Sequence, residues 1–163
     1  LTIKNYTFYA ITISYENEDE IHMKLYKSAM VKKESKLNIK NINTTNIFTL
    51  VDLAISTSKI KNNINFTKNY DPSIPEFKLD ASSFIKTLNS VFEVFKNKNN
   101  VACSILLKIG EYIKIDNIKY SLISVEIVAN EESDFFFFFI KETNSFILTY
   151  DDTKVTIDLP LIL

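Results

Sequence analysis

The period of the apolar residues changes once, near position 97, and that change limits this chain to a mixed fold. Before it, Phe84, Leu88, Val91, Phe92 and Phe95 recur at the spacing that gathers side chains on one helical face. Asp80 stands at the N-cap position, where a carboxylate can accept from the unpaired amides of the first turn. Lys86, Asn89, Glu93 and Lys96 fall on the solvated side. After it, apolar residues alternate. The pattern predicts strands at Val101–Ile109, Tyr112–Ile115, Ile118–Val128, Phe135–Lys141, Ser145–Tyr150 and Lys154–Asp158. Gly110-Glu111, Asp116-Asn117, Glu142-Thr143-Asn144 and Asp151-Asp152-Thr153 read as the turns between them, and Asn130–Asp134 as a polar loop. Such short loops favour antiparallel pairing. The expected fold class is α+β: an antiparallel, β-rich sheet or partly closed barrel, with one amphipathic helix at about 81–97 packed on it.

The N-terminal half is less uniform. Tyr6 to Tyr15 alternates as a strand, and Ile21 to Val31 reads as its partner across the charged loop Glu16-Asn17-Glu18-Asp19-Glu20. Thr45 to Ser58 fits a helix stripe (Ile47, Leu50, Val51, Ala54) and a strand alternation equally well, with Asn43 or Thr44 available as a helix cap. The reading leans to helix. Positions 59–79, rich in Asn and Lys and holding Asp71-Pro72-Ser73-Ile74-Pro75, read as an irregular connector. A length of 163 residues suits a single domain spanning 1–163.

Composition removes several classes of function. The chain has no Arg, Gln or Trp and one glycine, Gly110. A glycine-rich phosphate loop is therefore excluded. Turns must draw on Asn and Asp for left-handed backbone angles. The net charge of −1 gives no global attraction to nucleic acid, and the missing Arg removes the side chain best suited to bidentate phosphate contacts. No apolar run approaches the roughly 20 residues of a membrane helix. Cys103 is the one cysteine, so no internal disulfide can form, which fits a reducing compartment. The sequons at Asn5, Asn43 and Asn65 are the number that an Asn-, Ser- and Thr-rich chain produces by chance. The expected location is intracellular, nuclear or cytoplasmic. The first residue is Leu1 rather than Met, from which an upstream segment is expected.

Candidate sites are few. Glu16, Glu18 and Glu20 would share one strand face and suit a hard divalent ion, although a solvated loop explains them as well. Glu131, Glu132 and Asp134 read as a loop. Lys24, Lys27, Lys32, Lys33, Lys36 and Lys40 could meet phosphates or an acidic partner, or could simply guard a sheet edge. His22 has no second histidine or nearby cysteine to complete a zinc site. Cys103 lies in an apolar strand and reads as a buried thiol. Phe135 to Phe139 need cover on both faces, from the helix on one side and from another sheet, a barrel interior or a partner on the other.

Tyr9, Ile11 and Thr12, then Ser28-Ala29-Met30-Val31, then Ile85, Thr87 and Leu88, and finally Gly110-Glu111, Asp116 and Leu122 occur in an order that resembles subunit 20 of the Mediator head module. These matches cover about half the chain. The stretch from Lys32 to Leu79 is longer than that family's pattern, and no helix closes the C-terminus. The resemblance implies a β-barrel-like, non-catalytic subunit that pairs with a related neighbour, with no catalytic residue carried over.

The expectation from sequence is thus a non-catalytic protein–protein interaction subunit of a larger complex, such as a transcription coactivator component. Phe135, Phe137, Phe139, Lys32, Lys33 and Lys36 are its candidate contact residues. The 13 Phe and 8 Tyr motivate that reading, since aromatic surplus often serves an interface. No cofactor and no membrane contact is expected. One alternative is a metal-dependent phosphohydrolase-like β-barrel enzyme using Glu16, Glu18 and Glu20. Another is a nucleic-acid-binding domain using Lys24 to Lys40.

Overall fold

The computed structural model describes residues 2–3, 6–10, 42–58, 64–129, 138–142, 146–151 and 153–163. The helix expected from the Phe84 stripe is present as α2 (Ala81–Val94). Its cap is built as the sequence requires. The backbone amide of Ser83 donates to Oδ1 of Asp80 at 3.0 Å, and the Ser83 hydroxyl donates to Oδ2 at 2.8 Å. Phe84, Leu88, Val91, Phe92 and Phe95 are all buried, each contributing roughly 1.5–3 kcal/mol of hydrophobic stabilisation. The ambiguous segment resolves as a second helix, α1 (Ile47–Thr57), capped by Asn46 through its side-chain oxygen and the amide of Thr49. The helical stripe prevails there because Ile47, Leu50, Val51 and Ala54 can all enter one core, which a strand alternation would divide between two faces.

Ten strands are described: β1 (Thr2–Ile3), β2 (Tyr6–Ala10), β3 (Asn43–Thr45), β4 (Asn65–Tyr70), β5 (Phe77–Leu79), β6 (Asn100–Ile115), β7 (Ile118–Ala129), β8 (Phe138–Glu142), β9 (Ile147–Asp151) and β10 (Lys154–Pro160). Eight form one sheet in the order β1-β2-β8-β9-β10-β7-β6-β4, while β3 and β5 pair separately. The sheet is not closed into a barrel. It is also mixed: β4 runs parallel to β6, and every other described pair is antiparallel. The strands after position 100 do not form a simple meander, because β10 inserts between β9 and β7. Two strands, β4 and β5, lie inside the stretch expected as an irregular connector.

The expected turn at Gly110-Glu111 is instead a bulge inside β6. Lys108 pairs with Leu122 and Tyr112 with Ser121, leaving Ile109, Gly110 and Glu111 without partners in the ladder. Strand β6 thus stays with the same partner on both sides, and Gly110 at φ 81° supplies the left-handed residue that the kink needs. The hairpin to β7 turns through Asp116 and Asn117 at φ 48° and 66°, the two-residue geometry that favours Asp and Asn.

Pairing register decides which residues share a face. Cys103, Ile127 and Val155 lie side by side, as do Ile105, Val125 and Ile157. These residues join both helices in one apolar core. Phe66 meets Phe92 and Phe84 meets Phe146 edge-on there. The opposite face carries the alternate residues, and the polar ones are concentrated there.

Candidate functional site

Three neighbouring strands build the polar face. Ser104, Glu126 and Thr156 are in register across β6, β7 and β10, followed by Leu106, Ser124 and Asp158, then by Lys108, Leu122 and Pro160. Each lies one residue from a core-facing neighbour, so strand alternation alone fixes its direction.

Ser124 is fully buried and Asp158 is 8% exposed; they are the two buried polar residues among those described. The Ser124 hydroxyl donates to Oδ1 of Asp158 at 2.5 Å. Burial pushes the Asp158 carboxyl up to about 6, since water no longer solvates the charge. The bond from Ser124 opposes that rise, the charge of Glu111 adds to it, and Lys108 and Glu126 act in opposite senses. Glu111 belongs to the β6 bulge, which therefore brings a second carboxylate within electrostatic reach of Asp158.

Glu126 has a different setting. Its Oε1 accepts from Nζ of Lys108 at 2.6 Å, and its Oε2 pairs with Nζ of Lys154 at 3.0 Å. Partial burial pushes this carboxyl up, but hydrogen bonds and charge from the two lysines outweigh burial and hold it below the usual glutamate range. One face thus holds a carboxyl that resists ionisation and a carboxylate that resists protonation. Opposed carboxyls of this kind can divide acid and base roles between them.

A second polar group lies where α1 meets β4. The Tyr70 hydroxyl donates to Oδ1 of Asp52 at 2.9 Å, and Lys68 pairs with the same oxygen at 2.8 Å. Phe48 stacks on Tyr70 with ring centroids 5.4 Å apart. Cys103 is buried beside them. Burial, reinforced by the Asp52 charge, pushes its thiol up to about 12, so the reactive thiolate is suppressed.

Most of the residues singled out from sequence are not among those described. Glu16, Glu18, Glu20, His22, Lys32, Lys33, Lys36, Phe135 and Phe137 lie outside the described residues. Phe139 is on β8, in register with Ala10 and Tyr150. The sequence did hold a signal for the Ser124–Asp158 group: Ser124 and Glu126 interrupt the apolar run Leu122–Val128 two positions apart, and Asp158 sits between Ile157 and Leu159. No described helix is long and apolar enough to cross a membrane.

No family model and no curated protein matches the chain, so neither comparison bears on the likeness to the Mediator subunit. Solved structures that it resembles include the catalytic domain of the histidine kinase ThkA in a nucleotide-free form. That likeness has 13% identity and a TM-score of 0.44, and covers 75% of this chain and 97% of the other. The expectation of a non-catalytic interaction subunit is not borne out by this comparison: the structure it finds is a catalytic domain. A TM-score of this size carries none of that domain's chemistry over to the present chain.

Proposed function

We propose that this chain is a general acid–base catalytic domain for a small polar substrate, with Asp158 exchanging the proton and Glu126 serving as the fixed anion. The observation that carries this reading is the placement of two carboxyl groups in opposed settings on one sheet face. One is hydrogen-bonded to a buried hydroxyl; the other is clamped by two lysines. Carboxyls perturbed by burial and by specific charge partners concentrate where proton transfer is carried out. Ser124 orients Asp158 through its hydroxyl, and Lys108 and Lys154 keep Glu126 ionised while it stabilises positive charge developing nearby. The buried Cys103 thiol suits an intracellular, reducing compartment.

The test is a panel of chromogenic phosphomonoesters, carboxylic esters and glycosides, assayed with the wild type, Asp158→Asn and Glu126→Gln. The expected result is turnover of one class, reduced roughly 100-fold or more by Asp158→Asn. Its rate should have an ionisation limb near the raised value of Asp158. Turnover that survives both substitutions, or absence of turnover across the panel, overturns the reading.

A further inference from the structure

The hairpin between β6 and β7 places two lysines face to face. The two-residue turn at Asp116 and Asn117 makes Ile115 and Ile118 the first pair, so Lys114 and Lys119 form the next. Alternation makes that next pair one without ladder hydrogen bonds, where side chains stand closest. Like charges directly opposite on a strand pair oppose folding. Among the described residues neither ammonium has an ion-pair partner. Lys68, Lys108 and Lys154, by contrast, are each held by a carboxylate, and Lys78 donates to the carbonyl oxygen of Leu163.

The same hairpin face carries Tyr112 and Ser121, in register two pairs further along, beyond Ile113 and Tyr120. Lys119 Nζ lies 4.4 Å from the centroid of the Tyr112 ring, a cation–π contact that steadies the ammonium without neutralising it. Ser121 is exposed, and its hydroxyl has no hydrogen-bond partner among the described residues. Two ammonium groups and a hydroxyl thus share one face of the hairpin, with no hydrogen-bond or ion-pair partner among the described residues.

We propose that Lys114, Lys119 and Ser121 form a binding site for the terminal phosphate of a small phosphorylated compound. Two lysine charges match the two charges of a phosphate monoester near neutral pH, and each ammonium offers several donors to its oxygens. A bound dianion would also relieve the repulsion between the two lysines. A diester with a single negative charge satisfies only half of that match. The site uses different residues from the acid–base group, so the two readings fail separately.

The experiment is a titration of the full chain with methyl phosphate, followed by amide NMR at low ionic strength, with chloride of equal ionic strength as the control. The expected result is saturable shifts at Lys114, Lys119 and Ser121, weaker binding of dimethyl phosphate, and at least a roughly tenfold loss of affinity in the double variant Lys114→Ala, Lys119→Ala. That variant removes a repulsion, so its thermal midpoint should not fall. If it fails to fold, the single variants Lys114→Gln and Lys119→Gln carry the test, each expected to weaken binding several-fold. Absence of saturable shifts at these residues, equal binding of the diester, or unchanged affinity in the lysine variants overturns the proposal.

Discussion

The hydroxyl of Ser124 on β7 donates a 2.5 Å hydrogen bond to Oδ1 of Asp158 on β10, between residues in direct register on the face opposite the helices. That relationship governs how the fold responds to pH. With the carboxyl pushed up to about 6 from an ordinary value of 3.8, the folded chain keeps a proton at pH 5 that the unfolded chain has lost. The resulting stabilisation is full below the ordinary value and disappears as pH rises through about 6. Asparagine retains an oxygen that can accept from Ser124 but cannot ionise. Asp158→Asn should therefore gain stability relative to the wild type as pH rises from 4 to 7, by at most about 3 kcal/mol. Urea unfolding at several pH values measures it, and a difference between the two proteins that stays flat with pH would sink the idea.

Glu126 predicts the reverse slope. Its carboxyl is held below the ordinary value of 4.5, so its stabilisation is present above that value and disappears as pH falls through the lower, folded one. The side chain is only partly buried, and solvent screens its pairs with Lys108 and Lys154. Glu126→Gln should cost about 1 kcal/mol at neutral pH, less at 1 M salt. Chemical denaturation at low and high salt checks both. A loss unaffected by salt would assign the effect to packing instead.

Local rules made part of this fold readable. Asp80 and the Phe84 stripe specify α2 through capping and period, both of which act within a few residues. The Asp116-Asn117 turn is legible for the same reason. The parallel pairing of β4 with β6 is not, because Phe66 and Val101 meet across 35 positions with α2 between them. The insertion of β10 beside β7 likewise depends on long-range register. The Ser124–Asp158 pair follows from that register: each looks like a polar residue in an apolar strand until β7 and β10 are paired. Gly110 shows the limit of a local signal, since its left-handed backbone serves a bulge as readily as a turn.

Cys103 yields a chemical prediction. It is buried, and its thiol is pushed up to about 12. Native protein at pH 8 should therefore react with a soluble disulfide reagent no faster than it opens, while the protein in denaturant reacts at once. The native rate should rise with added urea in step with opening. Rapid stoichiometric labelling without denaturant would show that the thiol is reachable in the folded chain.

Gly110 connects backbone geometry to the site. At φ 81° it adopts a conformation that side chains disfavour, yet a Cβ placed there would meet nothing within 4 Å. Gly110→Ala should therefore cost about 1 kcal/mol through the backbone alone, and Gly110→Asn less, because asparagine tolerates the left-handed region better. The bulge also carries Glu111, whose charge helps to raise the Asp158 carboxyl. If alanine relieves its strain by shifting the bulge and moving Glu111 away, the Asp158 titration should move down towards the ordinary aspartate value. Carboxyl-carbon NMR of Asp158 in the wild type and Gly110→Ala, read beside thermal unfolding, separates the two effects. A stability loss with an unchanged titration would show strain held in place, and a moved titration with little loss would show the bulge relaxing. No change in either would mean that the left-handed turn does not set this part of β6.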